Sequence, residues 1–182
     1  MQATGLDPTK ALLNIARTQD PDGTYIEGTA EALPFADAQF DVCVFYLSLI
    51  DIPDLRAAIA EAARVLRPGG RILIANLHPH ITARPQHLSP TDGSWAIVGG
   101  HSVVIMDELM RERAVRTCFD GLDIINYHRP LSAYMTALLD AGLILRSFTD
   151  PPYTGSDAGM AAKYGRMPWG FMMVWDKPER TP

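Results

Sequence analysis

The side chains here that can hold a hydroxylated ligand or move a proton stand where apolar runs end. Asp7 closes Ala3-Thr4-Gly5-Leu6-Asp7, which reads as a strand end, and Pro8 then opens a helix. An acidic residue in that place is the ribose-binding arrangement of doubly wound folds, its carboxylate accepting from both ribose hydroxyls. The same carboxylate can instead cap the helix behind it. His78 and His80 follow another strand, at the mouth of a sheet, which opens a catalytic or substrate-contact role for His78. A metal fits less well, since i and i+2 spacing with no convergent Cys or carboxylate pair falls short of a site. His128 precedes a further helix. It is either a general base for an O–H or N–H acceptor, titrating near working pH, or a structural residue fastening a lid to the helix start.

The elements that must position these groups centre on Glu27–Pro79. Two apolar runs, Phe40–Leu47 and Arg71–Leu77, lack clean alternation and so read as strands buried on both faces of a parallel sheet. Between them Leu55, Ala58, Ile59, Ala62, Ala63 and Leu66 form a helical stripe, capped by Asp54 and stopped by Pro68-Gly69-Gly70. Strand, helix, strand predicts a right-handed βαβ unit. Upstream, Leu12, Leu13, Ile15 and Ala16 give a helix an apolar face, and Thr24–Gly28 is a short strand. Residues 81–101, with two prolines and three glycines, read as a long loop. Arg113–Phe119 and Leu122–Tyr127 predict a hairpin turned at Asp120-Gly121. A helix follows from Leu131 to Gly142, then strands at Leu143–Phe148 and Gly170–Trp175, with a short helix around Ala158–Tyr164.

Three pieces in this order, Ala30-Glu31-Ala32-Leu33-Pro34-Phe35, Phe40-Asp41-Val42 and Ala63-Arg64-Val65-Leu66-Arg67-Pro68-Gly69-Gly70-Arg71, resemble the class I S-adenosylmethionine-dependent methyltransferases, in particular their small-molecule branch. The resemblance implies an α/β, Rossmann-like three-layer sandwich with a mostly parallel sheet and an antiparallel closing strand. It implies one domain over residues 1–182, with 78–130 inserted as a lid or substrate cover, in which Trp95 and Phe119 either line the site or hold the lid down. It assigns Asp7 to the ribose of S-adenosyl-L-methionine, Thr29, Ala30 and Glu31 to adenine, and Phe45, Tyr46 and Leu47 to the methionine part. The run Tyr127-His128-Arg129 is similar to one in that branch, so Tyr127 joins His78 and His128 as a candidate to take the acceptor's proton.

The sequence departs from the family in three places. Thr29 stands where many relatives carry Asp, and Ile50-Asp51 where they often carry His-His. No Gly-x-Gly occurs, although the family opens with a strand and a glycine-rich turn that receives the cofactor's carboxylate. That strand belongs mid-sheet, between the one ending at Asp7 and Phe40–Leu47, so the expected fold is N-terminally incomplete, with two unpaired inner edges. A truncated or miscalled start is the simpler expectation; a degenerate relative is the other.

With 182 residues, 47% hydrophobic and 20% charged, the chain can build one ordinary core. A net charge of −5 without a basic run gives no grip on nucleic acid. No apolar run reaches membrane-spanning length. Cys43 and Cys118 lack metal spacing and fit a reducing cytoplasm. The expected partner is a small-molecule methyl acceptor, with a homodimer possible in principle. The competing readings are a non-enzymatic, partner-binding or dimerising module and a nicotinamide oxidoreductase, and the latter lacks its own glycine fingerprint too.

Overall fold

The computed structural model describes residues 2–83, 85, 95–119 and 121–179. In chain order the elements are β1 (Thr4–Asp7), α1 (Lys10–Gln19), β2 (Thr24–Glu27), β3 (Phe40–Tyr46), α2 (Leu55–Val65), β4 (Leu66–Leu77), α3 (Pro79–Thr82), β5 (Trp95–Val98), β6 (His101–Val104), β7 (Arg113–Phe119), β8 (Leu122–His128), α4 (Leu131–Asp140), β9 (Ile144–Thr149), α5 (Ala158–Tyr164) and β10 (Gly170–Asp176). The central sheet runs β3–β4–β10–β9. β3 and β4 are parallel, joined through α2 as the βαβ reading requires, and β10 closes antiparallel to both β4 and β9. The expected α/β fold with an antiparallel closing pair is therefore present.

One face of this sheet carries the core. Phe45, Ile72, Ile74, Phe171, Met173 and Trp175 meet Leu55, Ile59 and Ala62 of α2 and Tyr134 and Leu138 of α4. Burying side chains of this size contributes roughly 1.5–3 kcal/mol each. Asp54 starts α2 as expected, its Oδ1 accepting from Ala57 N–H at 3.0 Å.

The other face of β3 corrects the expectation of burial on both sides. Val42, Val44 and Tyr46 alternate onto it, and Val44 and Tyr46 keep 65% and 73% of their surface exposed. The cause is topological. Among the described residues β3 pairs only with β4, while β1 and β2 form a separate two-stranded parallel sheet. The expected break between the strand ending at Asp7 and Phe40–Tyr46 is thus where the sheet divides. α1 has the same deficit, with Leu13 buried but Leu12 and Ile15 more than half exposed.

Pro68-Gly69-Gly70 does not lie where predicted. α2 stops at Val65 with Leu66 already extended, and the three residues belong to the start of β4. The pairing jumps from Phe40↔Leu66 to Val42↔Arg71, so they form an irregularity in the strand. A side chain at Gly70 would sit 2.8 Å from the Arg67 carbonyl oxygen, which requires glycine. The α2 carbonyls are capped from the far end of the chain: Lys177 Nζ donates to the Ala63 and Leu66 oxygens at 2.8 Å each.

The stretch expected as a loop from 81 to 101 holds α3 and most of a second hairpin, β5–β6, turned at Gly99 and Gly100 with φ of 57° and 79°. Gly-Gly is a primed-turn signal, and it was legible. Residues 84 and 86–94 and the side chains of Trp95 and Phe119 lie outside what the structure describes, and with them the lid-lining reading of those two aromatics. The β7–β8 hairpin runs as predicted, one residue longer, and α5 spans the expected residues.

Candidate functional site

β3 and β4 are parallel and in register, so Leu47 and His78 leave the sheet at the same end. The backbone turns sharply there: Leu47 has φ 53°, a left-handed conformation that costs an L-residue about 1–2 kcal/mol, while its N–H donates to the Ala75 oxygen at 2.8 Å. Such strain persists only where surrounding structure holds it, and it gathers at ligand-binding edges. Asp51, in the turn after β3, is pushed above the usual carboxylate range chiefly by burial and further by the charge of Asp7, against the Asn126 amide that donates to it.

Both readings of Asp7 have a place. Its Oδ1 accepts from Thr9 N–H at 2.7 Å, which ties down the start of α1. The second oxygen is the one a ribose could use. Thr29 is exposed, Ala30 packs against the core, and Glu31 accepts from Asp54 N–H at a long 3.4 Å. The loop they belong to is pinned onto α2: Arg64 donates to the Leu33 and Phe35 oxygens and to Glu61, and Glu61 accepts from Leu33 N–H. Phe45 and Tyr46 diverge. The Phe45 ring is in the core, so only its backbone faces the edge, whereas Tyr46 stands on the uncovered face.

His78 and His80 come together, ring centroids 4.2 Å apart, with His78 Nε2 3.9 Å from Asp150 Oδ1. Burial lowers both imidazoles below their ordinary value. Asp150 opposes this at each, and His78 depresses His80 further. His128 has no face turned to a ligand. It is fully buried, with Nδ1 2.8 Å from Thr82 Oγ1 and Nε2 3.0 Å from the Leu109 oxygen. Both ring nitrogens are engaged, so of its two expected roles the geometry supports the fastening one. Tyr127 is half-buried, with Arg129 5.3 Å from its ring centroid.

The three buried or half-buried histidines set a pH response. Each has a folded pKa below the ordinary 6.5, for burial first of all. The unfolded chain therefore takes protons first. Stability should be fully present above about pH 6.5 and fall as pH drops below it. His128→Gln should make that fall shallower in urea titrations across pH 5–7; an unchanged slope would mean that the ring charges freely in the native state.

The sequence missed Arg129. It is 3% exposed, and its guanidinium donates to the Leu49, Ile52 and Pro53 oxygens at 2.8, 2.6 and 2.8 Å. Asn126 donates to Asp51 Oδ1 at 2.8 Å, and Tyr127 N–H to the Ile50 oxygen. Together they bind β8 to the turn after β3. The local signal is an arginine beside the candidate base and ahead of an apolar helix, which does not tell a buried clamp from a solvated charge. Asn76 was missed as well, since a polar residue two before the end of an apolar run carries no local signal.

Residues 1–74 match the methyltransferase domain family. The chain is 35% identical over 80 residues to the demethylmenaquinone methyltransferase of Renibacterium salmoninarum, covering 43% of this chain and 34% of that protein. It is 36% identical over 137 residues to the O-methyltransferase cnsE of Penicillium expansum, covering 71% of this chain and 49% of that protein. The match thus spans about a third of the first relative and half of the second. In three dimensions it superposes on an S-adenosylmethionine-dependent methyltransferase of Mesorhizobium loti with a TM-score of 0.81 at 22% identity, covering 96% of this chain and 80% of that one. The superposition shows the fold, one shared with S-adenosylmethionine-dependent methyltransferases of solved structure, and residues 1–74 carry the match to the methyltransferase domain family. Among the described residues, no helix is long and apolar enough to cross a membrane.

Proposed function

We propose that the protein transfers a methyl group from S-adenosylmethionine to a small molecule. The observation that carries this is the strand-end edge of β3 and β4, where Leu47 turns with φ 53° and its N–H is held by the Ala75 oxygen beside the start of the His78 segment. The residues fit the nucleoside half of the cofactor. Asp7 accepts from the ribose hydroxyls, Thr29, Ala30 and Glu31 border adenine, and Tyr46 and Leu47 lie along the methionine part with the backbone of Phe45. Bound there, S-adenosylmethionine supplies a methyl group made electrophilic by its sulfonium. The chain's own work is alignment and proton uptake. His78, half-buried and steadied in the charged form by Asp150, would take the proton that the acceptor loses when its lone pair bonds the methyl carbon and the carbon–sulfur bond breaks to release S-adenosylhomocysteine. Tyr127 stands nearer the β8 clamp and His128 is enclosed, so His78 is the first choice of the three. Two free thiols, Cys43 pushed up to about 11 by burial, accord with a reducing cytoplasm.

Asp7→Ala in the protein as the cell makes it should weaken S-adenosylhomocysteine binding by about 1.5–3 kcal/mol, the worth of hydrogen bonds to a charged group. Isothermal calorimetry reads it directly, and unchanged affinity would remove Asp7 from the ribose. The second reading, a partner-binding or dimerising module of the same fold, is favoured by the uncovered Val42, Val44 and Tyr46. A stable dimer in sedimentation with no cofactor binding would select it.

A further inference from the structure

Three buried side-chain atoms at the end of β4 have no hydrogen-bond partner: Asn76 Oδ1, His78 Nδ1 and His80 Nε2. Each orphaned polar atom costs stability, so three in one neighbourhood call for a reason. They belong to one contiguous cluster. Asn76 donates through Nδ2 to the Tyr134 hydroxyl at 3.2 Å and is paired across the sheet with Phe171. Phe171 meets Tyr134 and His78 edge-on, and His78 meets His80. Asn76 and His80 are 98% and 92% buried, from relative exposures of 2% and 8%.

The three atoms share one polarity. Asn76 Oδ1 can only accept. Asp150, 3.9 Å from His78 Nε2, favours the hydrogen on that nitrogen and leaves Nδ1 a lone pair. The Pro168 residue beside His80 has only a carbonyl to offer, so it draws the ring's proton to itself and leaves Nε2 bare. The segment from Asp150 to Trp169 reaches the pair at both ends, through Asp150 and through the Trp169 oxygen that accepts from His78 N–H at 3.0 Å. Between them α5 has no buried residue, so this cover is lightly held.

The geometry points to a donor-reading acceptor subsite: Asn76, His78 and His80, reached when residues 151–167 swing aside while Asp150 and Pro168–Trp169 keep their contacts to the histidines, present acceptors to the O–H or N–H hydrogens of a small apolar molecule. It rests on the methyltransferase reading and narrows it, placing the methylated atom at a hydroxyl oxygen or an amine nitrogen rather than at carbon. The proton leaving that atom goes to His78 Nδ1.

Side-chain NMR on the histidine rings and the Asn76 amide, with no cofactor present, tests it using phenol, aniline and anisole. Saturable shifts at all three residues with phenol, aniline or both, but not with anisole, are expected; phenol alone marks a hydroxyl acceptor and aniline alone an amine. Asn76→Leu and His80→Phe each remove one orphaned atom. Both also give up a native bond, Asn76 Nδ2 to the Tyr134 hydroxyl and the His80 ring to the Pro168 carbonyl, so the readout is affinity in the folded protein, expected to weaken at least tenfold. Equal shifts with anisole, no shift with any probe, or parent-like binding in both variants would overturn the proposal. Cofactor calorimetry on the protein as the cell makes it is independent of this readout, so donor binding with no cofactor binding there would sink the methyltransferase reading alone.

Discussion

Titrated with S-adenosylhomocysteine, residues 1–182 are expected to show no saturation in the micromolar range and no turnover. Asp7 and Leu47, the anchors proposed above for the two ends of the cofactor, lie at the ends of strands in different sheets. No backbone ladder fixes the distance between β1 and β3 among the described residues. A positioned site tolerates about 0.5 Å, and a misplacement of 1 Å is worth on the order of 100-fold. A longer form in which one strand pairs with both edges should recover binding in the same titration. Micromolar affinity of the 182 residues by themselves would show that the edge is held in some other way.

Arg129→Met should be the most damaging single change to stability. It leaves the carbonyls of Leu49, Ile52 and Pro53 without their donor in a buried place, and it frees β8 from the turn that shapes the ligand edge. The loss should be on the order of 3–5 kcal/mol in urea unfolding. Arg129→Lys should recover little, because one ammonium cannot reproduce a planar fork over three oxygens. A loss under about 1 kcal/mol would mean that water replaces the guanidinium, and the clamp would then be incidental.

The elements were legible where a period and a stop signal coincided. The α2 stripe with Asp54 before it and the β7–β8 hairpin came from such pairs of signals. The division of the sheet beside Phe40–Tyr46 was legible as well, from the absence of a glycine-rich turn. Burial was not. Val42 and Val44 look like core residues in any window, and what exposes them is the topology of the neighbouring strands, not their own sequence. Pro68-Gly69-Gly70 was misplaced because the same residues that end a helix also suit an irregular strand. Asp7 and His78 could be placed at strand ends because such ends are visible in sequence. The Arg129 clamp and the Asn76–Tyr134 bond join residues 76 to 80 and 58 positions apart, and separations of that size leave no mark on a local pattern.

Lys177 gives the chain a direction in time. Its ammonium closes the C-terminus of α2 from 111 and 114 residues away, and β10 is the strand that flanks β4 on the side opposite β3. During synthesis the βαβ unit therefore emerges with its helix end uncapped and one edge of β4 open, and it must wait for almost the whole chain before either is satisfied. At the roughly 5–20 residues per second of translation, that interval lasts several seconds. A nascent chain arrested before β10 should remain protease-sensitive and engage chaperones, while one arrested after residue 177 has emerged should become resistant in a single step.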